Sequence, residues 1–151
     1  MLSKKAQYAL QALTYMAEKN PYQPTLIADI SKNRSIPIKF LENILLQLKN
    51  SGVLDSKKGK GGGYYFRMAP EDIPLARIIR LIDGPIAMLP CVSLYFYERC
   101  KNCNENHCGI HDTMVLVRDA TLKILENKTV ADLLTPESIV PPPVSQAKKR
   151  V

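Results

Sequence analysis

Ser51-Gly52-Val53-Leu54-Asp55-Ser56-Lys57-Lys58-Gly59-Lys60-Gly61-Gly62-Gly63-Tyr64-Tyr65-Phe66-Arg67-Met68 is the stretch whose reading decides the fold. A Ser-Gly pair ends the helix before it. A short strand over 53–56, a loop over 57–63 and a returning strand over 64–68 then make a hairpin. Three lysines interleaved with four glycines put positive charge on a backbone that fits closely against a groove or a run of phosphates. Other glycine-loop readings fail. No Ser or Thr follows Gly59-Lys60, so the loop is not a P-loop. A Gly-x-Gly-x-x-Gly frame begun at Gly59 meets Tyr64 where its last glycine belongs, and strand–loop–strand is the wrong order for a dinucleotide fingerprint.

Upstream, residues 3–19 place Ala6, Ala9, Leu10, Leu13, Met16 and Ala17 on one helix face, and Asn20-Pro21 stops the pattern. Pro24-Thr25 is expected to start a second, short helix through Leu26, Ile27 and Ile30 that ends near Asn33. A third is expected from about Pro37, with Phe40, Leu41, Ile44, Leu45 and Leu48 inward and Lys39, Glu42, Asn43, Gln47 and Lys49 outward. Two helices joined by so short a turn have helix-turn-helix proportions, and a hairpin after them is a wing.

Downstream, a fourth helix is expected over 74–83, stopped by Asp83-Gly84-Pro85. A cysteine-rich loop follows, over about 90–109, and then a long helix to Asn127. Met114, Val115, Leu116, Val117, Ala120, Leu122, Ile124 and Leu125 make that helix apolar on nearly all sides, which implies packing on its own domain and on a partner. A helical turn over 129–134 precedes a tail with Pro141-Pro142-Pro143 and a basic end, expected to be disordered. The expected fold is mainly α with a small β-hairpin wing. It divides into a winged helix-turn-helix DNA-binding domain (1–84), a cysteine-rich sensor loop (85–110), a dimerisation helix region (111–135) and the tail (136–151).

Charge supports this division. Residues 1–69 hold eleven Lys/Arg against four Asp/Glu, whereas residues 70–147 hold seven against ten, so only the first half favours a polyanion. Leu2-Ser3-Lys4-Lys5 leads straight into the first helix, so no secretory leader is expected, and no apolar run approaches the roughly 18–20 residues of a membrane span. A reducing cytoplasm is the expected compartment, where clustered cysteines bind metal or sense redox state rather than form staples.

The candidate DNA contacts are Lys39, Glu42 and Asn43 at the start of the recognition helix, with Lys57, Lys58, Lys60, Gly61, Gly62 and Tyr64 in the wing. Asn suits adenine, Lys suits guanine or phosphate, and Glu accepts from cytosine. The candidate metal ligands are Cys91, Cys100, Cys103 and Cys108, all four cysteines of the chain, with His111 as an alternative ligand. His107 is expected to be a solvated side chain. Thiolates suit an iron–sulfur cluster or zinc, and metal-free redox thiols are a further reading.

The wing, together with Tyr8-Ala9-Leu10, Phe40-Leu41-Glu42 and Cys108-x2-His111, closely resembles the Rrf-two family of bacterial transcription regulators. The resemblance implies a homodimer whose recognition helices and wings grip a palindromic double-stranded DNA operator, joined through the long helix. It places Glu42 and Asn43 where the family reads bases, and Lys58 where it carries a wing arginine. Lys60 stands where proline is common. Cluster-binding members use three cysteines here, sometimes with a following histidine. This chain has a fourth cysteine, so a 4Fe–4S cluster on four thiolates and a 2Fe–2S cluster on three cysteines plus His111 both stay open. Because the loop leads into the expected dimer helix, the state of the loop is expected to alter the separation of the two reading heads.

A metal-dependent enzyme or redox protein is the rival class. No Ser–His–Asp or paired-carboxylate constellation supports it, and Cys100-x2-Cys103 lacks the βαβ setting of a thioredoxin-like motif. A pure dimerisation scaffold would leave the Lys/Gly wing without a purpose.

Overall fold

The computed structural model describes residues 1–134, so the expectation about the tail lies outside the described residues. The described chain is mainly helical: α1 (Lys4–Lys19), α2 (Ile27–Arg34), α3 (Ile38–Asn50), β1 (Leu54–Lys57), β2 (Gly63–Phe66), α4 (Leu75–Asp83) and α5 (Gly109–Asn127). Short 3-10 turns link several of them. The winged helix-turn-helix with a long following helix is the architecture expected above.

α1 is the central beam. Ser3 caps it, its hydroxyl accepting from the Ala6 amide at 3.0 Å, and the Ser3 amide donates to Asp83 at the end of α4 at 2.9 Å. Its apolar face (Ala9, Ala12, Leu13 and Met16) is buried against Ile30 of α2, Leu41, Ile44, Leu45 and Leu48 of α3, and Ile78 of α4. Ile36, in the turn between α2 and α3, is also fully buried, and Ser35 before it takes a left-handed φ of 52° to turn the chain.

β1 and β2 pair antiparallel in the register Leu54↔Phe66, Asp55↔Tyr65, Ser56↔Tyr64 and Lys57↔Gly63. Lys57 and Gly63, expected in the loop, therefore close the ladder, and the loop proper is shorter. Thr25 does not start α2. Its backbone forms a bridge to Tyr64, with Thr25 N–H to Tyr64 O at 2.8 Å and the reciprocal bond at 3.0 Å. These two bonds staple the wing to the head of α2, which begins two residues later at Ile27.

Two side chains of α3 depart from expectation. Phe40 is not in the core: it is 53% exposed and meets Tyr8 edge-on at 6.2 Å. Gln47 does not face solvent. Its amide donates to the Leu81 carbonyl of α4 at 2.7 Å and its oxygen accepts from Lys5 at 2.8 Å. Helical periodicity marks the centre of a buried face well, but the flanks depend on which neighbour packs there.

After α5 the chain returns to the first core. Leu75 donates to the Lys128 carbonyl at 2.8 Å, Val130 donates to the Ile73 carbonyl at 3.0 Å, and the Val130 side chain is fully buried. α5 is thus pinned at its C-terminal end to the body that carries the wing. Its outer side is another matter: Ile110, Thr113, Val117, Ala120 and Ile124 are all exposed and follow one another at spacings of three and four residues. That is the pattern of a helix-pairing seam.

Candidate nucleic-acid interface and cysteine segment

At 3.6 residues per turn, Lys39, Asn43, Leu46 and Asn50 form a single outward line along α3. All four are exposed, as is Glu42 one turn-flank away. No side chain caps the start of α3, where the Phe40 amide donates to the Pro37 carbonyl at 3.1 Å. Lys49, on the wing side of α3, donates to the Ser56 hydroxyl of β1 at 2.6 Å and ties helix to wing.

In the wing, Lys57, Lys58 and Lys60 are exposed. None of these lysines, nor Lys39, forms an ion pair among the described residues. Gly61, at φ 72°, is exposed, with open space around the position a Cβ would take. Gly62 and Tyr64 are engaged inside the molecule. Gly62 is buried within the turn, where a Cβ would stand 2.3 Å from the Lys57 carbonyl oxygen. Tyr64 is half-buried against the core and bridged to Thr25.

The four cysteines are free and half-buried. Cys103 lies between Cys100 and Cys108 and shares hydrogen bonds with both. The Asn102 backbone amide, then the Cys103 thiol, draw Cys100 toward thiolate and lower its pKa. The hydrogen bond to Cys100, with burial and the contact to Cys108, pushes Cys103 up to about 12. Burial, followed by the Glu105 charge, raises Cys91. Cys91 sits in a separate 3-10 turn, Pro90–Val92, held to α5 by Arg118 donating to the Val92 carbonyl at 2.6 Å. Cys108 is the residue before α5, and the His111 amide donates to its sulfur at 3.5 Å. The His111 ring lies 3.3 Å from Asp112 and does not join the thiols, while His107 is exposed, as expected.

Among the described residues, no three His, Cys, Asp or Glu side chains are gathered closely enough to grip a metal ion as they stand. The donor chemistry still fits a thiophilic group. Cys103 touches both Cys100 and Cys108, and Cys100 is already biased to the ligating thiolate form.

Glu105 organises the loop, and nothing in the local sequence pattern singled it out. One carboxylate oxygen accepts from the Cys100 amide at 3.0 Å and the other from the Tyr97 hydroxyl at 2.8 Å. The Cys100 amide and then Tyr97 hold its carboxyl below the usual carboxylate range.

These thiol environments predict an order of reactivity. Iodoacetamide near neutral pH should label Cys100 first and Cys103 last, because the thiolate is the nucleophile. Raising the pH should narrow the gap as the remaining thiols ionise. Mass-spectrometric mapping of a time course checks this, and early labelling of Cys103 would contradict it.

Helix-turn-helix, lysine wing and cysteine segment together define a winged-helix transcription regulator. The chain belongs to the Rrf2 family, described as iron-dependent transcriptional regulators, whose profile matches residues 2–136. It is 37% identical over 138 residues to the rrf2-like HTH-type transcriptional regulator of Rhodobacter capsulatus, covering 89% of this chain and 92% of that protein. It is 29% identical over 132 residues to the HTH-type transcriptional regulator CymR of Bacillus subtilis, covering 87% and 88% of the two chains. The solved structure of B. subtilis CymR, a global cysteine regulator, superposes with a TM-score of 0.74 at 26% identity, over 89% of this chain and 95% of that one. These relatives are transcriptional regulators and not enzymes, which sets aside the enzyme class. No helix among the described residues is long and apolar enough to cross a membrane.

Proposed function

We propose that this protein is a homodimeric, sequence-specific DNA-binding regulator whose grip on a palindromic operator depends on the state of its cysteine segment. The observation that carries DNA binding is the set of exposed lysines, Lys39, Lys57, Lys58 and Lys60, without ion pairs among the described residues and beside the exposed edge of α3. Lysines without carboxylate partners are free to displace counterions from phosphates. Asn43 and Glu42 would read base edges, and the wing would track the backbone. Gly62 and Tyr64 would shape the wing rather than touch DNA.

A test follows from the different work of the two contact types. In a dimer, Lys58→Ala should lower affinity for all sequences about equally and reduce the salt slope by about 1–2. Asn43→Ala should cost about 1–3 kcal/mol at one base position of each half-site and relax preference there. Fluorescence anisotropy against an operator obtained by random-sequence selection measures both. An unchanged salt slope for Lys58→Ala would remove the wing from the interface.

The exposed seam on α5 supports pairing with a second copy. For the cysteine segment, Cys100, Cys103 and Cys108, with Cys91 or His111 as the fourth ligand, suit an iron–sulfur cluster, and zinc is the alternative metal. An iron–sulfur cluster would supply redox- or oxygen-dependent ligation, so that its gain or loss resets the loop. A second reading, a metal-free thiol switch, draws on the hydrogen-bonded contact of Cys103 with Cys100 and Cys108. Protein purified without oxygen separates the two. Visible absorbance with stoichiometric iron and sulfide supports the first; colourless protein with neither supports the second.

A further inference from the structure

We infer that Arg80 is the positioning residue that couples the cysteine segment and α5 to the recognition helix. It lies on α4, outside the DNA-contacting and thiol-bearing residues. Its guanidinium stacks over the Tyr95 ring, 5.0 Å from the centroid, and pairs with Glu126 of α5 at 2.7 Å. Tyr95 stands four residues after Cys91, and Glu126 lies near the end of the helix that begins after Cys108. One side chain therefore touches both the cysteine segment and the helix that leaves it.

The same short helix holds the end of the reader. Arg77, one turn before Arg80, donates to the Ser51 carbonyl at the α3 C-terminus at 3.0 Å and contacts the Met68 sulfur beyond β2 at 3.1 Å. The carbonyl of Leu81, next to Arg80, accepts from Gln47 of α3 at 2.7 Å. α4 is thus gripped by the cysteine side through Arg80 and grips α3 and the wing exit through Arg77 and Leu81. Ser51, Arg77, Arg80, Leu81, Tyr95 and Phe96 line one open groove of about 450 Å³ between the two sides. The arginine contacts lie on the two walls of that groove.

A guanidinium suits this role because its plane stacks on a ring while its edge binds a carboxylate, which an ammonium cannot do together. Coupling between sites requires an element that both sides bias, and α4 meets that requirement. A change at Cys91–Cys108 that moves Tyr95 or α5 loads Arg80, tilts α4 and shifts the C-terminal turn of α3.

This inference rests on the cysteine segment being a switch, and the test separates the two ideas. Hydrogen exchange of the full-length protein is compared with thiols free and after iodoacetamide alkylation. In the wild type, alkylation should speed exchange in peptides spanning 47–54 by about threefold or more. In Arg80→Gln that response should vanish, while peptides spanning 94–108 still respond. Tyr95→Ala should behave the same way and is safe for folding, because the ring is 68% exposed. If the wild type responds and both variants respond equally, Arg80 is not the coupler and the switch reading stands. If alkylation alters 94–108 but leaves 47–54 unmoved in the wild type, the coupling through Arg80 and α4 is overturned, and the switch reading is then decided by operator affinity alone.

Discussion

Ala120→Arg should turn the protein into a monomer and lower operator affinity at least about 100-fold, without unfolding it. Ala120 is exposed on the outer line of α5, between Val117 and Ile124, and the described core does not use it. Arginine is nearly as good a helix former as alanine, so α5 itself should persist. A guanidinium in the middle of this apolar seam, however, would be buried against a second copy without a partner. A dimer binds its second half-site as an intramolecular event, worth about 100- to 10,000-fold in avidity. Losing the seam removes that factor while each reading head stays intact. Light scattering and anisotropy at one salt concentration check the two halves of the expectation. A dimeric Ala120→Arg protein would show that the copies meet elsewhere.

Gly63→Ala should destabilise the protein by about 2–4 kcal/mol, lowering Tm by roughly 6–12 °C, and should release the wing. Gly63 takes φ 141°, and a Cβ there would stand 2.3 Å from the Thr25 carbonyl oxygen and 2.6 Å from its carbon. Both obstacles are backbone atoms, so no side-chain rotation relieves them. Thr25 is held to Tyr64 by the pair of backbone bonds that staple the wing to α2, and this staple has to give. Gly61→Ala is the matched control. Its φ of 72° is also left-handed, but nothing stands within 4 Å of the added carbon. It should cost only about 1–2 kcal/mol. Thermal unfolding of the two variants side by side checks the contrast, and equal losses would mean that the Thr25 staple is not a constraint.

The wing shows how far local pattern reaches. Its lysines, its glycines and the strands on either side were legible because turn chemistry and β propensity act over a few residues. Thr25 reads as helical in the sequence because its partner, Tyr64, lies 39 positions later in the chain. Nothing near Thr25 announces that pairing. The same holds for Gln47, which reads as an outward residue until Leu81 supplies its acceptor. The return of Val130 to the core beside Ile73 is likewise a long-range event. In the cysteine segment, thiol spacing marked the ligand candidates, but Glu105, Arg118 and Arg80 gain their roles only through partners that folding brings near. Periodicity located elements; the contacts between them had to come from the assembled chain.

One measurement tests the account most directly: the affinity of the dimer for its selected operator, with the cysteine segment in its cluster-loaded and its metal-free, reduced forms, at one salt concentration. In the proposed dimer the two reading heads would meet half-sites about one helical turn apart, so a shift in their separation would be read out strongly as binding. The account predicts at least about a tenfold difference between the two forms, with a salt slope that changes little because the wing lysines are the same in both. Equal affinities would contradict it and leave the cysteine segment without a part in reading DNA.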